Sequence, residues 1–194
     1  MISSARHCVW AGVAFAFAIF VSSPALAGPW SATLYGGPSS NSRASDIVDG
    51  RGHLSGGMIG LAVDRDIFNL GWGITFGAEV QVTHYLFGKD YTTGALGIGF
   101  RFHDILWGHN SLAIYSGPSY ALDPPRVPDY FYGPSYRMRR FLNFIGVEFA
   151  VPIPWDSRHW DAVLRIYHRS GVWGVYSVNV DEGSMIGIGL RAKF

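Results

Sequence analysis

The fold predicted for this 194-residue chain is all-β: an eight-stranded antiparallel transmembrane β-barrel behind a cleaved signal peptide. Three observations predict it. Segments of about ten residues alternate apolar with small or polar residues at a period of two. Longer and shorter connections take turns along the chain, as they do in outer-membrane barrels. The composition joins 48% hydrophobic and 15% aromatic residues to 25 glycines and only 15% charged residues. A soluble sandwich also alternates, but its outward face is polar. Here the second face of each strand holds glycines and a few charges.

Residues 1–27 stand apart as a targeting segment. Arg6 supplies a basic start, Val9 to Val21 an apolar run, and Ala25-Leu26-Ala27 a small-x-small cleavage site. The run is too short for a membrane-spanning helix and stops at Ser22-Ser23-Pro24. Residues 28–194 are then expected to form a single barrel domain, with no repeat, linker or low-complexity tract. Cys8 is the only cysteine and leaves with the signal, which argues against a small disulfide-stapled domain. Removing Arg6 with the signal leaves 14 basic and 14 acidic residues, a net charge of zero. That balance gives no electrostatic case for nucleic acid as a partner.

Eight strands are predicted at 29–37, 54–65, 71–86, 92–104, 110–121, 138–151, 158–170 and 183–194. In the third, Trp72, Ile74, Phe76, Ala78, Val80 and Val82 form one face, and Gly73, Thr75, Gly77, Glu79, Gln81 and Thr83 the other. In the fourth, Leu96, Ile98, Phe100 and Phe102 stand against Gly97, Gly99, Arg101 and His103. The apolar rows should meet lipid. Glu79, Arg101, Glu148, Arg165 and Arg191 then point into a lumen filled by side chains, where buried charges require mutual pairing.

The links near 38–53, 87–91, 122–137 and 171–182 are longer or rich in glycine, proline and polar residues, which suits the cell exterior. Those near 66–70, 105–109 and 152–157 are short, which suits the periplasm. Trp30, Trp72, Trp107, Trp155 and Trp160 fall near predicted periplasmic ends. Tyr85, Tyr91, Tyr130, Tyr132 and Tyr136 fall towards the outside, so two aromatic girdles are expected. Phe194 closes an alternating last strand, like the terminal signal of outer-membrane assembly.

Polar residues interrupt the apolar row at one place. Ala162, Leu164 and Ile166 share a face with His168 and Ser170, at the outward end of the seventh strand. Counting back by twos from Ile188 and Ile186 carries the apolar face of the eighth strand to Glu182, beside the same end. A lipid-facing charge near an interface costs only about 0–1 kcal/mol. A histidine, a hydroxyl and a carboxylate together are the groups of acyl-transfer chemistry.

His168-Arg169-Ser170, with Glu182 twelve residues after the serine and a closing strand behind it, resembles the outer-membrane lipid A 3-O-deacylases. The match is specific over the last thirty residues, and the signal, strand layout and terminal Phe extend it loosely over the chain. The resemblance implies Ser170 as nucleophile, His168 as base and Glu182 as the residue orienting the base. It also implies a serine ester hydrolase that needs no cofactor, whose partners are lipopolysaccharide and the outer-membrane bilayer. A homodimer stays open as an assembly.

The family often continues H-x-S-N-x-G, where this chain has Gly171 in place of the Asn and Trp173 in place of the Gly. Backbone N–H groups of Gly171 to Gly174, Gly171 and Gly174 foremost, are the candidate oxyanion donors. Arg137 and Arg139 have the parity of Phe141, Ile145 and Val147 on the sixth strand, and are candidates to hold lipid A phosphates. No metal is suggested, because the seven histidines are scattered without ligand spacing. GALGIGF alternates as a strand and opens no helix, so it is no nucleotide loop. Two other classes remain: a non-catalytic barrel with a structural or surface-interaction role, and acyl transfer to an acceptor other than water.

Overall fold

The structure, a computed structural model, describes residues 30–40, 54–86, 90–106, 108–122, 124, 126–129, 133–137, 139–156, 158–171 and 181–194. The side chains of 55, 126–129, 133–137, 181 and 182 are outside that description. So are the predicted signal peptide, Trp107, Tyr130 and Tyr132.

Ten strands form: β1 (Trp30–Ser40), β2 (Leu54–Gly71), β3 (Ile74–Leu86), β4 (Tyr91–His103), β5 (Ser111–Leu122), β6 (Arg126–Asp129), β7 (Gly133–Arg137), β8 (Phe141–Pro152), β9 (Trp160–Ser170) and β10 (Asp181–Lys193). Eight of them close into an antiparallel barrel in the order β1-β10-β9-β8-β5-β4-β3-β2, so each is paired on both sides. Closure leaves no open edge, which a sheet in hydrocarbon requires because no water is there to satisfy one. β6 and β7 make a separate two-stranded sheet within the long connection between β5 and β8.

The predicted strand faces are the observed ones over most of the barrel. Ile98, Ile188, Leu96 and Leu190 are more than half exposed, on an apolar outer wall. Glu79, Arg101, Glu148, Arg165 and Arg191 are all buried in the lumen. They pair as burial demands. Arg165 Nη1 donates to Glu148 Oε2 at 2.8 Å, and Arg165 Nη2 donates to Glu79. Arg191 Nη1 reaches the other oxygen of Glu148 at 2.9 Å. Aspartates extend the network: Arg101 Nη2 lies 2.7 Å from Asp64 Oδ2, Arg101 Nε lies 3.5 Å from Asp66 Oδ1, and Arg191 Nη2 lies 2.6 Å from Asp161 Oδ2.

The glycines of the inner face have a packing reason. A Cβ at Gly97 would stand 2.6 Å from the Phe144 ring, which crosses the lumen from β8. Small residues on one wall thus make room for large ones from another, which is how a narrow barrel fills its taper.

Two expectations are corrected. β2 continues through residues 66–70, and the turn falls at Trp72-Gly73, with φ of 50° and 72° between the paired Gly71 and Ile74. Positive φ at both central residues is the type I′ arrangement, whose twist matches that of two right-twisted strands joined by a two-residue hairpin. Trp72 is therefore 98% exposed at the turn instead of lying in the lipid-facing row of β3. Tyr85 and Tyr91 do not join an outer girdle. Both point inwards and are buried, with their rings stacked 4.3 Å apart. They share the parity of Thr83 and Thr93, whose hydroxyls also meet in the lumen.

Candidate active site on the outer wall

β9 presents Ala162, Leu164, Ile166, His168 and Ser170 on its outward row, the first three exposed and the last two half-buried. Asp161, Val163, Arg165, Tyr167 and Arg169 are buried inside. His168 and Ser170 are therefore consecutive residues of one row, about 6.5–7 Å apart along the strand. The residue between them fixes the strand end. Arg169 donates from Nε to Ser119 Oγ at 3.1 Å and from Nη2 to the Arg139 and Arg140 carbonyls at 3.3 and 3.2 Å. The middle residue of the H-R-S motif thus ties β9 to the chain entering β8 from inside the barrel.

On the β10 side, Ser184 stands opposite His168 and Asp181 opposite Ser170. The register shifts between those two pairs, and Gly183 has φ 73°. This is a bulge with glycine in the left-handed conformation. The count by twos from Ile186 does not run unbroken to Glu182, because the bulge interrupts it. Across the ladder from Ser170 stands Asp181 instead, and the side chains of both acidic residues are outside the described set. One partner of the imidazole is Ser184, a buried residue whose Oγ lies 2.7 Å from His168 Nδ1.

On the β8 side, Asn143 stands opposite Ser170, and Ile145 opposite His168. Asn143 is only 5% exposed, although its row is that of Phe141 and Ile145. Its Nδ2 donates to Ser116 Oγ and to the Phe144 carbonyl, each at 2.9 Å. The outer wall at this level thus carries Ser116, Asn143, Ser170, His168 and Ser184 on four adjacent strands. Sequence reasoning missed Asn143 and Ser184. Asn143 shares the parity of the apolar row of β8, so period-two counting could have found it. Ser184 shares the parity of Ile186.

The other candidates are dispersed. Gly171 is buried directly after the serine, and Gly174 lies outside the described residues. Arg137 belongs to β7, opposite Arg126, and Arg139 precedes β8 with an exposed side chain. Neither arginine is part of a barrel strand, so the parity that placed them on the lipid face does not apply. The polar group that remains together offers an imidazole, neighbouring hydroxyls and an amide on a lipid-facing surface.

A closed barrel of eight antiparallel strands with an apolar outer wall and a polar, filled lumen defines a class, the small bacterial outer-membrane proteins. This chain is one of them, and it resides in the outer membrane. It is similar to the crystal structure of Neisserial surface protein A (NspA), with a TM-score of 0.50 and 10% identity over 87% of this chain and 100% of that one. It is also similar to Ail, the attachment invasion locus protein of Yersinia pestis in complex with the heparin analogue sucrose octasulfate. There the TM-score is 0.47 and the identity 10%, over 86% of this chain and 99% of that one. At such identities the likeness is one of fold. No protein-family model and no curated protein matches the chain.

Proposed function

We propose that the barrel is a lipid A deacylase that cleaves an ester-linked acyl chain, the 3-O-linked one on the family resemblance, in the outer leaflet. The observation that carries the reading is the lipid-facing pair His168 and Ser170 at the outward end of β9, with Ser184 bonded to the imidazole. A substrate that stays in the membrane meets such a pair by lateral diffusion, whereas the lumen is packed with side chains.

In this mechanism Ser170 Oγ attacks the ester carbonyl carbon while its proton passes to His168 Nε2. Backbone N–H groups at Gly171 and Gly174 are assigned to the oxyanion. As the tetrahedral intermediate collapses, the bond to the glycolipid oxygen breaks and that oxygen takes the proton from His168. Water then adds to the acyl carbon with His168 again as base, the bond to Ser170 Oγ breaks as Oγ takes the proton back from His168, and the fatty acid leaves. Glu182 has the orienting role by resemblance.

Ser170→Ala tests the reading. Purified, folded variant incubated with lipopolysaccharide should release no fatty acid, while the wild type yields lipid A lighter by one acyl chain. Full release by the variant discards Ser170 as nucleophile. Mass spectrometry of the lipid products separates hydrolysis from transfer to another acceptor.

The second reading is a barrel with a structural or surface-interaction role and no catalysis. Gly171 and Trp173 favour it, because they replace the Asn and Gly that the deacylase pattern carries after the serine. It predicts unchanged lipid A after incubation with the wild-type protein.

A further inference from the structure

We infer that Ser184 is a positioning residue for the base: its hydroxyl accepts the Nδ1 proton of His168 and so fixes the tautomer in which Nε2 takes the nucleophile's proton. The inference deepens the esterase reading and rests on it. A neutral imidazole carries one ring proton, on Nδ1 or on Nε2, and the hydrogen bond made by one nitrogen decides the role of the other. Ser184 Oγ lies 2.7 Å from Nδ1. A ring that donates from Nδ1 can accept a proton only at Nε2.

Three features of β10 place the hydroxyl there. Ser184 is paired with His168 across the β9–β10 ladder, so the two side chains leave the sheet side by side on the same face. Ser184 is buried, which holds its hydroxyl away from competing solvent. The bulge at Gly183 sets the register: it adds one residue to β10 between the Asp181–Ser170 pair and the Ser184–His168 pair. Were the same sequence to run on from the Asp181–Ser170 pair without a bulge, the partner of His168 would be Gly183, which has no side chain to offer. The serine, two residues after the Glu182 to which the resemblance gives the orienting role, is therefore a side chain that the described backbone delivers to the Nδ1 edge of the imidazole.

The test has a spectroscopic and a kinetic arm, both on the full-length mature barrel folded in detergent. Histidines are labelled with 15N, and the His168 ring signals are assigned by their loss in His168→Gln. The wild type should show a protonated Nδ1 and a bare Nε2, and Ser184→Ala should move those shifts towards the other tautomer or a mixture. Against lipopolysaccharide, Ser184→Ala should lower kcat about a hundredfold with KM little changed, the lower end of what a well-placed general base contributes. Ser184→Thr keeps the hydroxyl and should restore most of the loss. A wild-type spectrum with the proton on Nε2, or a Ser184→Ala variant with native shifts and native kcat, overturns the inference. Absence of ester cleavage by the wild type overturns the esterase reading instead, and the imidazole spectrum still decides whether Ser184 is the Nδ1 acceptor.

Discussion

Ser170 faces Asn143 directly across the β8–β9 ladder, and Asn143 is itself held by a 2.9 Å bond from its Nδ2 to Ser116 Oγ on β5. The candidate nucleophile thus has a buried amide beside it, anchored to a third strand. Directly opposed side chains in an antiparallel pair have Cβ atoms roughly 4.5–5.5 Å apart, so this amide shapes the surface a substrate ester must approach. Asn143→Leu matches the surrounding lipid-facing row and should fold normally. On the esterase reading it should slow lipid A cleavage roughly ten- to a hundredfold, the scale of a misplaced reacting group. Unaltered turnover in a folded Asn143→Leu barrel would leave the amide with a purely structural role.

A second prediction concerns the lumen. Glu148 joins three arginines, with one oxygen 2.8 Å from Arg165 and the other 2.9 Å from Arg191 and 3.5 Å from Arg101. Arg165 is fully buried, so removing the carboxylate leaves a cation without half of its compensation. Breaking a buried pair from one side costs about 3–5 kcal/mol. Glu148→Ala should lower the urea midpoint of the folded band on unheated gels accordingly, and a Glu148→Ala/Arg165→Met double variant should recover part of it. Because the network lies in the barrel interior, Glu148→Ala should leave the lipid-facing chemistry intact at denaturant-free conditions.

Most of this fold is legible in the sequence because a regular strand has an exact side-chain period, and a count by twos survives ten residues without drift. That is why Glu79, Arg101, Glu148, Arg165 and Arg191 could be assigned to the lumen before their partners were known. The count fails where the backbone is irregular. The bulge at Gly183 breaks it before Glu182, the β6–β7 hairpin removes Arg137 from the strand that would have oriented it, and the turn takes Trp72 out of β3. Tyr85 was misplaced for another reason. Height along a strand suggested the headgroup zone, but its parity, shared with Gln81 and Thr83, sends it into the lumen. The parity of Ser184 and Asn143 is legible by the same count, but parity alone does not say which residues of neighbouring strands they meet. Only the pairing of neighbouring strands brings them to His168 and Ser170.

The outer wall supplies a third prediction. Ile188 is 76% exposed in the middle of β10, opposite Leu164 on one side and Gly36 on the other. An arginine facing lipid at mid-depth of a barrel costs about 2–4 kcal/mol, falling to about 0–1 near the interfaces. Ile188→Arg should therefore destabilise the barrel folded in phospholipid vesicles by that larger amount, measured by reversible unfolding in guanidinium. Ser170→Arg, at the strand end, should cost far less. Equal effects at the two positions would mean that the strand end is not near an interface.

Gly183 links the fold to the candidate chemistry most directly. Its φ of 73° belongs to the left-handed region, and a Cβ built there would sit 2.6 Å from the Tyr85 hydroxyl. Alanine therefore meets both a backbone penalty of roughly 1–2 kcal/mol and the edge of a buried stacked ring. The bulge can relieve both by shifting, but Ser184 is the next residue and would move with it, away from His168 Nδ1. Gly183→Ala should thus lose turnover out of proportion to stability, a fall resembling that of Ser184→Ala while the unfolding midpoint drops only modestly. Gly183→Asn tolerates the left-handed backbone better but adds a larger side chain against Tyr85, so pairing it with Tyr85→Phe, which removes the hydroxyl, should recover part of the activity. A Gly183→Ala barrel with native turnover would show that the register of the bulge does not set the geometry around the imidazole.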